Sequence, residues 1–366
     1  MEKKRIILWL WVLIPLLITL ALQLLARKVG GFGTWYILNI YPLFVSTLGR
    51  VTSILPISMG EMGLYALIIG FVVYTVSAVV RVIRKKVRVL KQLVNWLYCV
   101  MTSVALILMA YTMTCGINYY AQSFSTTQGL SIQKSSKEEL IALTRFLADQ
   151  VNEASKEMVL DGDGCTVITA NVQKEAVKAM KAASENYSVL RGYYPQPKPV
   201  LISRFLSVQQ VSGIYSPFTV EANYNREMVD YNLPFTACHE LSHLKGFMRE
   251  DEANFIAYLA CAASDCAEFN YSGALTAYIY AGNALYSADK DAYWEIRDSL
   301  CEMAKKDLAA NNEFWDRFET KIAEVQTQVN NAYLQGNGQT DGVKSYGRMV
   351  DLLLAMMREA APANNQ

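Results

Sequence analysis

The stretch from Leu233 to Asn254 reads LPFTACHELSHLKGFMREDEAN, and it sets how the rest of the chain is read. It holds both histidines of the 366-residue sequence, in the word His239-Glu240-Leu241-Ser242-His243. On a helix, positions i and i+4 share one face a turn apart, so two imidazoles there can grip one ion. Glu240 then stands as a base toward water held by that ion. Pro234 suits a first helical turn and Gly246 a helix stop. A helix is therefore expected from about Leu233 to Gly246, and a second from about Arg249 to Ala263.

A catalytic zinc commonly takes three protein ligands and keeps one position for water. With no third histidine, the third ligand must be a carboxylate or a thiolate. Glu250, Asp251 and Glu252 follow the Gly246 turn. Glu250 and Asn254 share a helix face, whereas Glu252 points roughly the opposite way. Glu250 is thus the expected ligand and Glu252 its rival, with Asn254 as a hydrogen-bond partner for a ligating histidine. The seven cysteines form no C-x-x-C pair and no disulfide framework, so free thiols are expected.

Outward from this word the chain changes character. Residues 1–120 carry 12 Lys/Arg against 2 Asp/Glu, and residues 121–366 carry 22 against 31. Three apolar runs in the basic part, about 6–25, 62–80 and 94–117, are long enough to cross a bilayer. The first lacks a small-residue cleavage site and reads as an uncleaved span. Lys3, Lys4 and Arg5, with the cluster Arg81, Arg84, Lys85, Lys86, Arg88 and Lys91, place the N-terminus and the second link in the cytoplasm. Residues beyond about 118 are then extracytoplasmic, in a multi-pass protein of the cell membrane. The acidic remainder would repel a phosphate backbone, so no nucleic-acid partner is expected.

The link 26–61, with Trp35, Tyr36, Tyr41 and Pro42, suggests an interfacial or re-entrant segment, against an ordinary membrane-hugging loop. Residues 118–135 are polar and read as a linker. The globular part, 136–366, is expected as mostly helical α+β. Ser136 opens a capping box with Glu139, and a helix follows from about Val172 to Tyr187. Asp161-Gly162-Asp163-Gly164 reads as a turn, because the full calcium-loop pattern is missing. Strands are expected near Val200–Ile202 and over Gly213–Asn223, the latter at a sheet edge because Pro217 cannot donate to a ladder. An edge there could hold an extended peptide by strand addition.

His-Glu-x-x-His followed by Glu250-Asp251-Glu252-Ala253-Asn254 resembles the gluzincin metallopeptidases, over about residues 213–260. The longer stretch quoted above, with N-terminal spans, also resembles a bacterial membrane-protein family of unknown function. The first resemblance implies a zincin-like catalytic domain holding Zn2+ through His239, His243 and Glu250. It implies hydrolysis of peptide bonds in a peptide or protein substrate, with Glu240 as general base toward a zinc-held water. The spacer from His243 to Glu250 is short for that group, and Asn254 stands where Asp is commoner. No further histidine is left to stabilise an oxyanion, so Tyr346 or Arg348 is expected to serve, Tyr346 first. The contrasting expectation is a non-catalytic, metal-stabilised sensor or binding module that signals through its spans in the lipid bilayer.

Overall fold

The computed structural model describes residues 2–340 and 348–360. The chain opens with α1 (Glu2–Lys28), two short helices α2 (Phe32–Asn39) and α3 (Tyr41–Thr52), and the pair α4 (Met59–Ile83) and α5 (Val89–Tyr111). Among the described residues, three helices are long and apolar enough to cross a membrane: α1 from Trp9, α4, and α5 with its continuation to Tyr120. Their apolar side chains face outward, Leu67, Phe71 and Val104 among them. Apolar surface on that scale calls for lipid, so the chain is membrane-associated.

The link between the first two spans is the α2–α3 pair. Tyr36 and Tyr41 turn inward and are buried, while Trp35, Leu38 and Leu43 stay exposed. Beyond Tyr111 the third span tightens through a π-turn (Thr112–Gly116) and a 3-10 turn (Asn118–Tyr120). The π-turn frees carbonyls for side chains: Met113 O accepts from Tyr36 at 2.8 Å, and Thr114 O from Tyr215 at 3.1 Å.

Residues 118–135 are not the linker that their composition suggests. Asn118 and Tyr119 are buried, and α6 (Phe124–Gln128) drives Phe124 into the core against Phe247 and Phe255. The polar residues misled because some are structural: Ser123 caps α6 through its hydroxyl. Only the part after Gly129 runs mostly exposed to the next helix.

Helix α7 (Lys137–Ala154) opens on the expected capping box of Ser136 and Glu139. A short hairpin, β1 (Val159–Leu160) and β2 (Thr166–Val167), follows. Its turn is held by Asp161 Oδ1, which accepts from the backbone of Asp163 and Cys165 at 3.0 and 2.8 Å. After α8 (Val172–Asn186) come β3 (Lys198–Pro199), α9 (Arg204–Val208), β4 (Gly213–Ser216) and β5 (Glu221–Tyr224). The sheet order is β3-β5-β4, with β3 parallel and β4 antiparallel to β5. Two expectations shift here. The first strand lies at Lys198–Pro199 rather than Val200–Ile202. The run Gly213–Asn223 is a hairpin, with Pro217 in the turn rather than in a strand. β4 is nonetheless an edge strand.

The remainder is helical: α10 (Asn232–Lys245), α11 (Glu250–Ala262), α12 (Ala267–Ala288), α13 (Lys290–Asp298), α14 (Glu302–Asp316), α15 (Lys321–Gly336) and α16 (Met349–Ala360). α10 is the hub of the core and touches α8, α11, α12, β4 and β5. All seven cysteines are free.

Candidate metal centre

Helix α10 is buried without a break from Pro234 to Leu244, although it contains His239, Glu240, Ser242 and His243. Burial of that many polar groups is costly unless they find partners. Ser242 bonds back to Cys238 O at 2.8 Å, so the other three define the site. Gly246 ends the helix at φ 112°, in the left-handed region. A side chain there would also strike Ile37, 2.4 Å from the added Cβ. The turn is thus tight enough for α11 to start at Glu250 and fold back over α10.

That fold-back brings Glu250 between the two imidazoles. Glu250 Oε2 lies 3.3 Å from His239 Nε2 and 3.5 Å from His243 Nε2. One ligand atom from each residue falls within 4.8 Å of the others. The rings meet at 87°, with centroids 4.6 Å apart. His243 Nδ1 donates to Phe247 O at 2.8 Å, which turns Nε2 toward the site.

Glu252 is held elsewhere. Its Oε1 accepts from Phe124 N at 3.0 Å and from Arg249 at 3.2 Å. Of the two acids, Glu250 faces the histidines and Glu252 does not. Asn254 stands beside His239, whose Nδ1 has no other hydrogen-bond partner among the described residues. The amide nitrogen of Asn254 donates to Tyr280 at 3.1 Å. Tyr346 lies outside the described residues. Arg348 pairs with Asp251 at 3.2 Å.

The electrostatics suit a cation. Burial lowers His239, whereas His243 is held up at about 9: desolvation pushes it down, but the charge and hydrogen bond of Glu250 and the charge of Glu240 outweigh that. Glu250 is kept ionised well below the ordinary carboxylate range, its burial overcome by the two imidazoles. His239, His243 and Glu250 are so placed that they could hold a metal ion. Two nitrogens and one carboxylate oxygen match the donor set of catalytic zinc. Glu240 is pushed up to about 8 by burial, against His243 and with Glu250, and its Oε2 is buried with no partner among the described residues.

Two neighbours escaped sequence reasoning. Gly213, at the start of β4, lies against Glu240, where an added Cβ would come 2.5 Å from Oε1. Tyr280, on α12, is pushed up to about 12 by burial and by the charge of Glu250. Neither had a signal in the sequence. One is an ordinary strand glycine and the other one of 22 tyrosines.

Residues 36–354 match the family described as "Protein of unknown function (DUF3810)". The chain belongs to this family. The match runs from α2 into α16, so the α2–α3 pair, the second and third spans and the histidine–glutamate cluster fall within one family unit. No curated protein and no solved structure matches the chain.

Proposed function

We propose that this family member is a membrane-anchored zinc-dependent metallopeptidase. One observation carries the reading: Glu250 arrives from a second helix within 3.5 Å of both histidines, with Glu240 buried beside them. An unrelated pair of helices has no reason to spend a buried carboxylate there. His239, His243 and Glu250 would hold the ion. When bound, zinc supplies Lewis-acid polarisation of a carbonyl and lowers the pKa of water to about 7. Glu240 takes a proton from the attacking water and passes it to the leaving amine. Asn254 and Tyr280, bonded to each other, stand beside His239 and Glu250.

The basic link between α4 and α5 and the basic N-terminus support a cytoplasmic placement for both, with the metal centre outside. A reporter fused to the C-terminus checks that, because cytoplasmic reporter activity would reverse the topology.

The deciding experiment combines elemental analysis with a peptide-library assay on the purified full-length protein. His239→Ala and Glu250→Ala should lose the metal. Glu240→Gln should keep it and lose about 10²- to 10⁴-fold in hydrolysis. Equal hydrolysis by Glu240→Gln and the parent would defeat the peptidase reading and favour a metal-stabilised binding module.

A further inference from the structure

The metal centre is built onto the ends of two membrane helices. α4 and α5 are joined by the short basic link Arg84–Arg88, so Met59 and Tyr111 lie at the same face of the helical pair.

At the α4 end the attachment is reciprocal. Met59 N and Gly60 N donate to the Glu221 carboxylate at 3.1 and 2.8 Å. The Glu61 carboxylate accepts from Leu201 N and Ile202 N at 2.8 and 2.9 Å. Lys198 Nζ, in a buried pair with Glu221 at 2.6 Å, also donates to Thr52 O and Ile57 O at 2.6 and 3.0 Å. At the α5 end, Cys115 Sγ lies 3.5 Å from Met248 Sδ, and Met248 is two residues before Glu250. The seam leaves little freedom for the globular part to lift away from its spans.

β4 measures the remaining distance. Its first residue, Gly213, touches Glu240. Its last, Ser216, touches α4, where a Cβ on Gly60 would lie 2.7 Å from Ser216 Oγ. Four strand residues span only about 10 Å. The outward-facing apolar side chains continue to Leu64 on α4 and Leu108 on α5. On a helix rising about 1.5 Å per residue, Leu108 is roughly 10 Å from Cys115. Trp35, Leu38, Leu43 and Ile54, all in the link between the first two spans, add further exposed apolar side chains. The reacting carbonyl would therefore sit within about 10–20 Å of the hydrocarbon, the reach of three to six extended residues.

We infer that the substrate is a polypeptide anchored in the same bilayer and cut in its juxtamembrane segment, about three to six residues from the anchor. This rests on the peptidase reading above. Water's oxygen bonds to the acyl carbon as the C–N bond breaks, and the amine leaves with the proton carried by Glu240.

The test uses full-length protein in phosphatidylethanolamine–phosphatidylglycerol vesicles, with one randomised peptide cassette offered in three forms. It is free, carried on a transmembrane helix, or carried on an acyl chain, the anchored forms having spacers of about 4 or about 20 residues. Mass spectrometry reads the cut sites, and Glu240→Gln provides the blank. The expected result is cleavage near the anchor whatever the spacer, at least about tenfold faster than for the free cassette. Cleavage of only one anchored form names the anchor type. Equal cutting of the free cassette, or cut sites that follow the cassette rather than the anchor, overturns the inference and leaves the peptidase reading intact. No cutting of any form by metal-loaded protein overturns both.

Discussion

Helices α10 and α4 invert the usual relation between composition and burial. α10 carries two histidines and a glutamate, yet is buried from Pro234 to Leu244. α4 is almost wholly apolar, yet buries only Glu61 and Ala78. The two helices answer to different solvents. Around α10 the protein is the medium, and polar groups are tolerated because they face one another across a candidate ion site. Around α4 the medium is lipid, so leucine and valine can face out while the lone carboxylate must face in, where it takes two backbone N–H groups.

Breaking the seam between these regions should have the largest effect. Lys198→Met leaves the Glu221 carboxylate buried without its cation and should cost about 3–5 kcal/mol, read as a fall in the apparent melting temperature in detergent. Adding Glu221→Leu should recover only part of that loss, because it strands Met59 N and Gly60 N. The solvent contrast is tested at Val72, which is 52% exposed. Val72→Asp would be nearly silent in water, but at the middle of a membrane helix it should cost about 2.5–3.5 kcal/mol of insertion, seen as reduced membrane integration.

Gly246→Ala puts a side chain at φ 112° against Ile37. It should cost about 1–3 kcal/mol and weaken metal retention, because the turn aims Glu250. Unchanged metal content in a stable Gly246→Ala variant would show that the turn is not what positions Glu250.

The smallest expected effect is at the rim. Glu139 is lowered to about 2, first by the Arg358 hydrogen bonds and then by the Ser136 backbone. Because the folded pKa lies below the ordinary value of 4.5, its stabilisation is present above that value and fades as pH falls toward 2. The pair is partly exposed, so solvent screens it. Protection of the α16 amides against hydrogen exchange, corrected for the intrinsic pH dependence of exchange, should fall across that window, and Glu139→Gln should remove the fall.

Much of the candidate site was legible because its geometry is local. The i, i+4 histidines, the Gly246 stop and the choice of Glu250 over Glu252 follow from the period of a helix and one turn. The capping box at Ser136 and the three apolar runs were readable for the same reason. The error over residues 118–135 arose because Ser123 caps a helix, and capping residues look like linker residues in composition. Pro217 signalled a break in the ladder, but the break is a hairpin turn, which depends on the partner β5.

Local rules therefore settled the span-forming helices and the residues able to share an ion. Long-range contact settled how close those two features lie. Glu221 and Gly60 are 161 residues apart, and Cys115 and Met248 are 133 apart. No periodicity connects such positions. They meet because unpaired backbone donors at a helix start, and a buried carboxylate, are each expensive until the fold presents one to the other.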